Sequence, residues 1–305
     1  VNKLYKIGWP MGVVAALTPS TNPTSTVMNK ILMSVKARNG IVIAPHPSAK
    51  NSCLDTTELM AKAAVAAGAP EGLIHCMSEI SLPGTNELMS HKYTAVILAT
   101  GGSDMVRAAH SQGKPAFGVG PGNVPVYVDR SADLERAAKY IVGSKAFDHS
   151  VICATEQAVI ADRPIANRLR ELMKAEGAHF VNPVEADLLR EILFWPNGTI
   201  NAASVGKSPQ YLGAMAGFCV PDSARILVAE LTRIGRDDPL SREKMTTVLG
   251  FYEAEGWEAG CDKCVDMINF GGRGHSVLLH AENEEIIMSF GLEKPVFRIG
   301  VNTMG

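Results

Sequence analysis

A chain of 305 residues with 46% hydrophobic and 20% charged content is long enough to bury a sizeable core, expected in two domains. Its net charge of −2, with no Lys/Arg stripe, argues against nucleic acid or an anionic membrane surface as a partner. Six cysteines are too sparse for a disulfide scaffold and suit a reducing cytoplasm; no signal peptide is read, and the longest apolar runs are strand-length and cannot span a bilayer.

In chain order, residues 12–17 (GVVAAL) predict a buried strand, closed by Thr18-Pro19-Ser20-Thr21-Asn22-Pro23. A helix is expected over about 24–36, with Val27, Ile31, Leu32 and Val35 on one face. Strand 40–44 follows, then the breaker Pro45-His46-Pro47 and an Ala-rich helix over about 53–67 that stops at Gly68. A short strand at 73–76, a helical turn at 87–91, strand 95–99, the turn Thr100-Gly101-Gly102, a helix near 104–111 and strand 115–119 complete the first part. Continuous apolar strands alternating with helices indicate a parallel sheet covered on both faces.

Residues 118–125 (GVGPGNVP) are dense with turn formers and mark the expected domain boundary. Beyond it, Leu134, Ala137, Ala138, Ile141 and Val142 recur at helical spacing. Further units are expected as helix 165–175, strand 179–181, helix 185–193, strand 226–229, helix 257–269 and strand 276–279, with a helix start at the acidic run 282–285. The reading is therefore α/β: residues 1–122 as a Rossmann-like domain, 123–290 as a second α/β domain, and 291–305 returning toward the first. Both ends are expected to continue in a longer protein, because the chain opens almost directly into a strand and closes just after residues 296–301.

Cys153 lies where the polar turn Phe147-Asp148-His149-Ser150 gives way to an apolar run. A thiol at such a junction can meet backbone N–H groups that lower its pKa and cradle an oxyanion, although free cysteine is just as readily a buried, inert side chain. Gly118, Gly120 and Gly122 bring backbone amides close to a ligand and permit positive φ, or else serve as a plain hinge.

The segment around Cys153 resembles the active-site region of CoA-acylating aldehyde dehydrogenases. The likeness is to the aldehyde dehydrogenase half of bifunctional aldehyde–alcohol dehydrogenases and to acylating sulfoacetaldehyde dehydrogenases. Five further blocks carry the resemblance in order: 17–25 (LTPSTNPTS), 45–49 (PHPSA), 100–102 (TGG), 118–125 and 242–249 (REKMTTVL). It implies an aldehyde dehydrogenase-like fold with a cofactor domain and a catalytic domain. It further implies Cys153 as nucleophile, with Asn22 as a side-chain oxyanion donor. Cofactor contacts are implied from Thr18, Pro19, Ser20, Thr21, His46, Pro47, Thr100, Gly101, Gly102, Gly118, Val119 and Gly120, and from Glu243 to the nicotinamide ribose. NAD or NADP is then the expected cofactor and coenzyme A the co-substrate. No metal is implied, and a homo-oligomer, a dimer or larger assembly, is expected in the cytoplasm or a bacterial microcompartment.

In such chemistry a thiolate adds to the aldehyde, the alkoxide collapses with loss of hydride, and a thioester remains on sulfur. Hydrolytic relatives carry a glutamate in the block corresponding to 118–125, where it activates water; here that block contains no Asp or Glu, which points to the CoA thiol as acceptor. His275, in Gly271-Gly272-Arg273-Gly274-His275, is a candidate for handling the thiol proton, and Arg273 for meeting a phosphate of CoA or an anionic substrate; a plain polar turn is the alternative. Two other readings stand beside this one: a non-acylating aldehyde dehydrogenase and a non-catalytic fragment with an assembly or regulatory role. The Cys261–Cys264 pair lacks a second ligand pair and reads as helix packing, and Gly68 and Gly143 read as helix C-caps.

Overall fold

The computed structural model describes residue 5 and residues 7–305, and the chain divides into two compact units that separate between Gly120 and Pro121. The first unit runs β1 (Val13–Leu17), α1 (Pro23–Lys36), β2 (Gly40–Ala44), α2 (Lys50–Ala66), β3 (Ile74–Cys76), α3 (Leu82–Ser90), β4 (Thr94–Thr100), α4 (Ser103–His110) and β5 (Ala116–Val119). Its strands are all parallel in the order β3-β2-β1-β4-β5. Successive strand residues point to opposite faces, and both faces are covered. Val14 and Ala16 pack with Val27, Ile31 and Cys53, whereas Ala15 and Leu17 pack with Met89 and Ala109. That double burial is why β1 reads as an unbroken apolar run. The chain leaves β1 toward β2 and β3 and then crosses back to β4, so the order reverses between β1 and β4. Open parallel sheets take ligands outside the carboxyl ends at such a reversal.

The second unit runs β6 (Pro125–Val128), α5 (Leu134–Ala146), β7 (Ala158–Asp162), α6 (Ala166–Ala175), β8 (Ala178–Phe180), α7 (Pro183–Leu193), α8 (Pro209–Ala216), β9 (Ile226–Glu230), β10 (Val248–Ala254), α9 (Gly256–Met267), β11 (Ser276–His280), α10 (Glu284–Leu292) and β12 (Arg298–Val301). Its seven strands are parallel in the order β12-β11-β6-β7-β10-β9-β8. Ile141 of α5 and Leu169 of α6 cover one face with Val126 and Val159, and Leu189 of α7 and Cys264 of α9 cover the other with Tyr127 and Ile160.

Several expectations change. The units separate inside the turn-rich stretch 118–125, but its last residue, Pro125, is the first residue of β6, a position that does not need its missing N–H. Residues 248–254 form β10 and residues 209–216 form α8, both absent from the sequence reading. The helical turn at 87–91 is the end of a nine-residue helix. Gly68 does follow α2 with φ +96°, but Gly143 lies inside α5 and caps nothing. Residues 298–301 form β12, which pairs with β11 along the second sheet. No helix among the described residues is long and apolar enough to cross a membrane.

Candidate active site

In the first unit, Thr18 follows β1, His46 follows β2, and Thr100 ends β4, all at the carboxyl edge that flanks the reversal of strand order. A cavity of about 290 Å³ there is lined by Thr18, Pro19, His46, Pro47, Gly101 and Gly102, among others. Gly102 is the N-cap of α4, and a Cβ on it would meet nothing within 4 Å, so the helix N-terminus is open to an anionic group. His46 Nδ1 lies 2.7 Å from Ser48 Oγ. No carboxylate stands in the Ala44–Ser48 stretch after β2. These features fit the adenosine and phosphate portions of a dinucleotide. Ser20 and Thr21 sit in the loop after β1, outside the lining, and Asn22 caps α1. Asn22 Oδ1 accepts from Thr21 Oγ1, and its amide nitrogen donates to no described residue. Beneath the reversal Lys30 is buried, donating to the carbonyls of Leu17 (2.5 Å) and Leu98 (2.9 Å), and burial lowers its pKa to about 7.

Gly118 and Val119 belong to β5, which Gly120 follows. None of Gly118, Gly120 and Gly122 has positive φ, so the conformational reason expected for these glycines is replaced by a steric one at two of them. A Cβ on Gly118 would lie 2.5 Å from Val106 Cγ1 of α4; a Cβ on Gly122 would lie 2.2 Å from the Cys153 carbonyl oxygen and 3.0 Å from His275 Cε1. Gly120 faces open space.

The second unit gathers its chemistry at the opposite edge, before the amino ends of neighbouring strands. In sheet order, His275 precedes β11, Gly122 precedes β6, Cys153 precedes β7 and Glu243 precedes β10. Because all these strands run the same way, four segments distant in sequence arrive at one edge. His275 Nε2 stands 3.2 Å from Cys153 Sγ, and its Nδ1 lies 3.1 Å from Ser276 Oγ. Ser276 Oγ can accept Nδ1–H, which leaves Nε2 free to receive the thiol proton.

The loop carrying Cys153 is held at both ends. Asp148, His149 and Ser150 have φ of 49°, 47° and 61°, a left-handed run without glycine that costs conformational energy. Ser150 Oγ then bonds Thr155 Oγ1 at 2.7 Å across the sulfur-bearing turn, and Thr155 Oγ1 donates to the Ile152 carbonyl at 2.9 Å. Burial, then the charge of Glu243, push the Cys153 thiol up, while its own backbone N–H favours the thiolate. Burial, then Arg298, push His275 down. The resting pair is thus a thiol beside a neutral imidazole.

Glu243 accepts from the Gly122 N–H at 2.9 Å, which puts a carboxylate on the segment whose own residues lack one. Burial raises its carboxyl to about 7, against the Gly122 amide, Lys145 and Lys244. Behind it lies a group of buried polar residues that sequence reasoning missed. Lys145 Nζ donates to Gln157 Oε1 (3.1 Å), which also accepts from the Lys244 backbone N–H (3.1 Å). Lys244 Nζ is satisfied by the carbonyls of Gln157, Leu240 and Arg242 at 3.1, 2.7 and 2.8 Å, and Glu156 accepts from Ser144 Oγ at 2.5 Å. In the sequence, Lys145 looks like an ordinary cation in the last turn of a helix; only its full burial sets it apart.

Arg273 is exposed, two residues before His275. Cys261 Sγ meets Lys294 Nζ, and Cys264 is fully buried. Among the described residues, no group of three or more His, Cys, Asp and Glu side chains is placed to hold a metal ion.

A parallel α/β unit with a dinucleotide-type crevice, followed by a second unit presenting a thiol against an imidazole, defines the class of fold. The chain belongs to the aldehyde dehydrogenase family, whose profile matches residues 2–186. It is 43% identical over 311 residues to the aldehyde-alcohol dehydrogenase of Streptococcus pneumoniae serotype 4, covering 99% of this chain and 35% of that protein. It superposes on the acetylating aldehyde dehydrogenase from Geobacillus thermoglucosidasius with a TM-score of 0.93 and 47% identity, covering 97% of this chain and 65% of that one. A propionaldehyde dehydrogenase from Rhodopseudomonas palustris, solved with bound propionyl-CoA, superposes with a TM-score of 0.88 and 30% identity, covering 97% and 65%. The chain therefore spans about a third of the bifunctional relative it matches and about two thirds of the solved neighbours.

Proposed function

We propose that this chain carries out the CoA-acylating oxidation of a short-chain aldehyde with NAD(P)+, reversibly, through a hemithioacetal and a thioester on Cys153. The observation that carries the reading is the Cys153 Sγ–His275 Nε2 contact of 3.2 Å at the amino edge of the second sheet. The unit ending at Gly120 is assigned to the cofactor and the unit from Pro121 to the chemistry.

His275 Nε2 takes the sulfur's proton as the sulfur adds to the carbonyl carbon. The Cys153 backbone N–H and the Asn22 amide are assigned to the alkoxide oxygen; each donor of this kind contributes about 3 kcal/mol. Bound NAD(P)+ supplies the two-electron acceptor for the hydride lost as the alkoxide collapses. Once His275 has released that first proton to solvent, it receives the proton of the CoA thiol as the CoA sulfur attacks the thioester carbonyl; the bond to Cys153 breaks, the Cys153 thiolate takes the proton back, and Arg273 is assigned to an anionic part of CoA or of the substrate. Thr18, Pro19, His46, Pro47, Gly101 and Gly102 are assigned to the adenosine and phosphates, with Ser20, Thr21, Thr100, Gly118, Val119 and Gly120 beside them and Glu243 to the nicotinamide ribose. The neighbour's bound propionyl-CoA supports CoA as the acyl acceptor. A homo-oligomer and a cytoplasmic or microcompartment setting complete the proposal; the six free thiols suit reducing conditions.

The test is NADH formation from acetaldehyde with and without CoA, on this chain and on Cys153→Ala. CoA-dependent turnover that the substitution abolishes is expected. Acid formation without CoA overturns the acylating reading in favour of a hydrolytic one, and absence of turnover in a folded chain that binds no cofactor favours a non-catalytic role.

A further inference from the structure

The Gly122 amide holds two neighbours at once. Its N–H binds Glu243, and its Cα lies so close to the Cys153 carbonyl and the His275 ring that no Cβ fits. The carboxylate of Glu243 is therefore one residue away from both members of the thiol–imidazole pair. A negative charge in that place, in a half-buried pocket, opposes a second negative charge on sulfur.

We propose that Glu243 is a positioning residue that keeps the Cys153 sulfur protonated while its carboxylate rests on the Gly122 N–H, and that the sulfur ionises when a ribose diol draws the carboxylate away. The inference rests on the reading of Cys153 as nucleophile and of the nicotinamide ribose as the ligand of Glu243. Two ligands then compete for one carboxylate: a single backbone N–H, and a pair of hydroxyls that can donate two hydrogen bonds. When the carboxylate leaves, the charge facing sulfur goes with it and the Gly122 N–H loses its partner. The amines of Lys145 from α5 and of the adjacent Lys244 face Glu243 and in their charged forms favour its carboxylate, while burial drives Lys145 well below the ordinary lysine range and Lys244 down to about 7; the charge of Arg298 acts on His275. The nucleophile is in this way quiet without cofactor and armed with it, so the free thiol is shielded from electrophiles when no hydride acceptor is present.

The experiment follows iodoacetamide alkylation of Cys153 against pH, read by peptide mass so that the exposed Cys219 does not contribute. In the cofactor-free chain, Glu243→Gln is expected to be alkylated about 3- to 10-fold faster near neutral pH, with its midpoint moved to lower pH, as loss of one nearby charge dictates. In the unaltered chain, saturating NAD+ is expected to shift the midpoint the same way, and a thermal melt shows whether the variant is folded. An unchanged midpoint in a folded Glu243→Gln chain overturns the proposal, as does a midpoint that NAD+ leaves in place or raises. Acylation of Cys153 by an acyl-CoA, measured separately by mass, tests the nucleophile itself: acylation without any Glu243 effect overturns the positioning role alone, whereas failure of acylation overturns the functional reading.

Discussion

At the scale of the residue, Gly122 is the most constrained position of the site. A methyl group there would meet a backbone oxygen at 2.2 Å, and a carbonyl in a turn stapled by Ser150 and Thr155 has no rotamer with which to give way. Gly122→Ala is expected to displace Cys153 from His275 and to lower kcat/KM by about 10²-fold or more, as misplacement near reacting atoms does, with circular dichroism unchanged. Full activity in the variant would mean that the turn moves freely. The sequence makes Gly122 visible only as one glycine among three, and the reason it suggests, positive φ, is not the one found. Cys153 and His275 are legible because resemblance singles them out. Lys145, Glu156 and Gln157 are not: a charged residue in a helix or before a strand carries no mark of burial until the neighbouring segments are in place.

At the scale of the element, legibility followed the environment of each strand. β1, β2 and β4 are buried on both faces and stand as plain apolar runs between breakers. β6 and β10 are as deeply buried, yet Pro125 at the start of one, and Gly250 and Glu253 in the other, break the apolar pattern. Gly250 has a packing cause, since a Cβ there would lie 2.9 Å from Leu231. α9 presses on β6 in the same way: a Cβ on Gly260 would lie 2.3 Å from Tyr127 Cε2, and Tyr127 is itself stacked on Phe290. Gly260→Ala gains up to about 1 kcal/mol of helix propensity and loses about 1–3 kcal/mol to overpacking. Overpacking wins, because the ring is fully buried and cannot swing clear. A net loss of about 1–2 kcal/mol is expected in urea titration, and a stabilised variant would show that the α9–β6 contact yields.

At the scale of the whole molecule, the two sheets place their chemistry at opposite edges, the first at the carboxyl ends of its strands and the second at the amino ends of its strands. The carboxyl edge of the second sheet is instead closed by ion pairs: Arg130 with Asp162, and Arg170 with Glu230 and Glu253. His280, at the end of β11, is buried at this edge, and neither ring nitrogen has a partner among the described residues. Burial, then the charge of Arg136, lower its pKa to about 4, while Asp133 opposes them; the ring of Tyr140 stands 6.4 Å away. An unfolded histidine titrates near 6.5, so between that pH and about 4 the unfolded chain binds the extra proton and the folded one does not. Stability from this residue is therefore complete above pH 6.5 and is lost as pH falls toward about 4, by about 3 kcal/mol in all. The buried carboxyls of Glu243 and Glu156, both raised to about 7, act with the opposite sign over the same interval, so the contribution of His280 is read as the difference between the unaltered chain and a variant that lacks it. His280→Leu, compared with the unaltered chain by urea titration at about pH 7 and about pH 4.5, is expected to flatten the acid limb by most of this amount. An acid limb of the same depth in the variant would assign the pH sensitivity to the ion pairs of the edge, and would mean that His280 finds a proton partner when the sheet is folded.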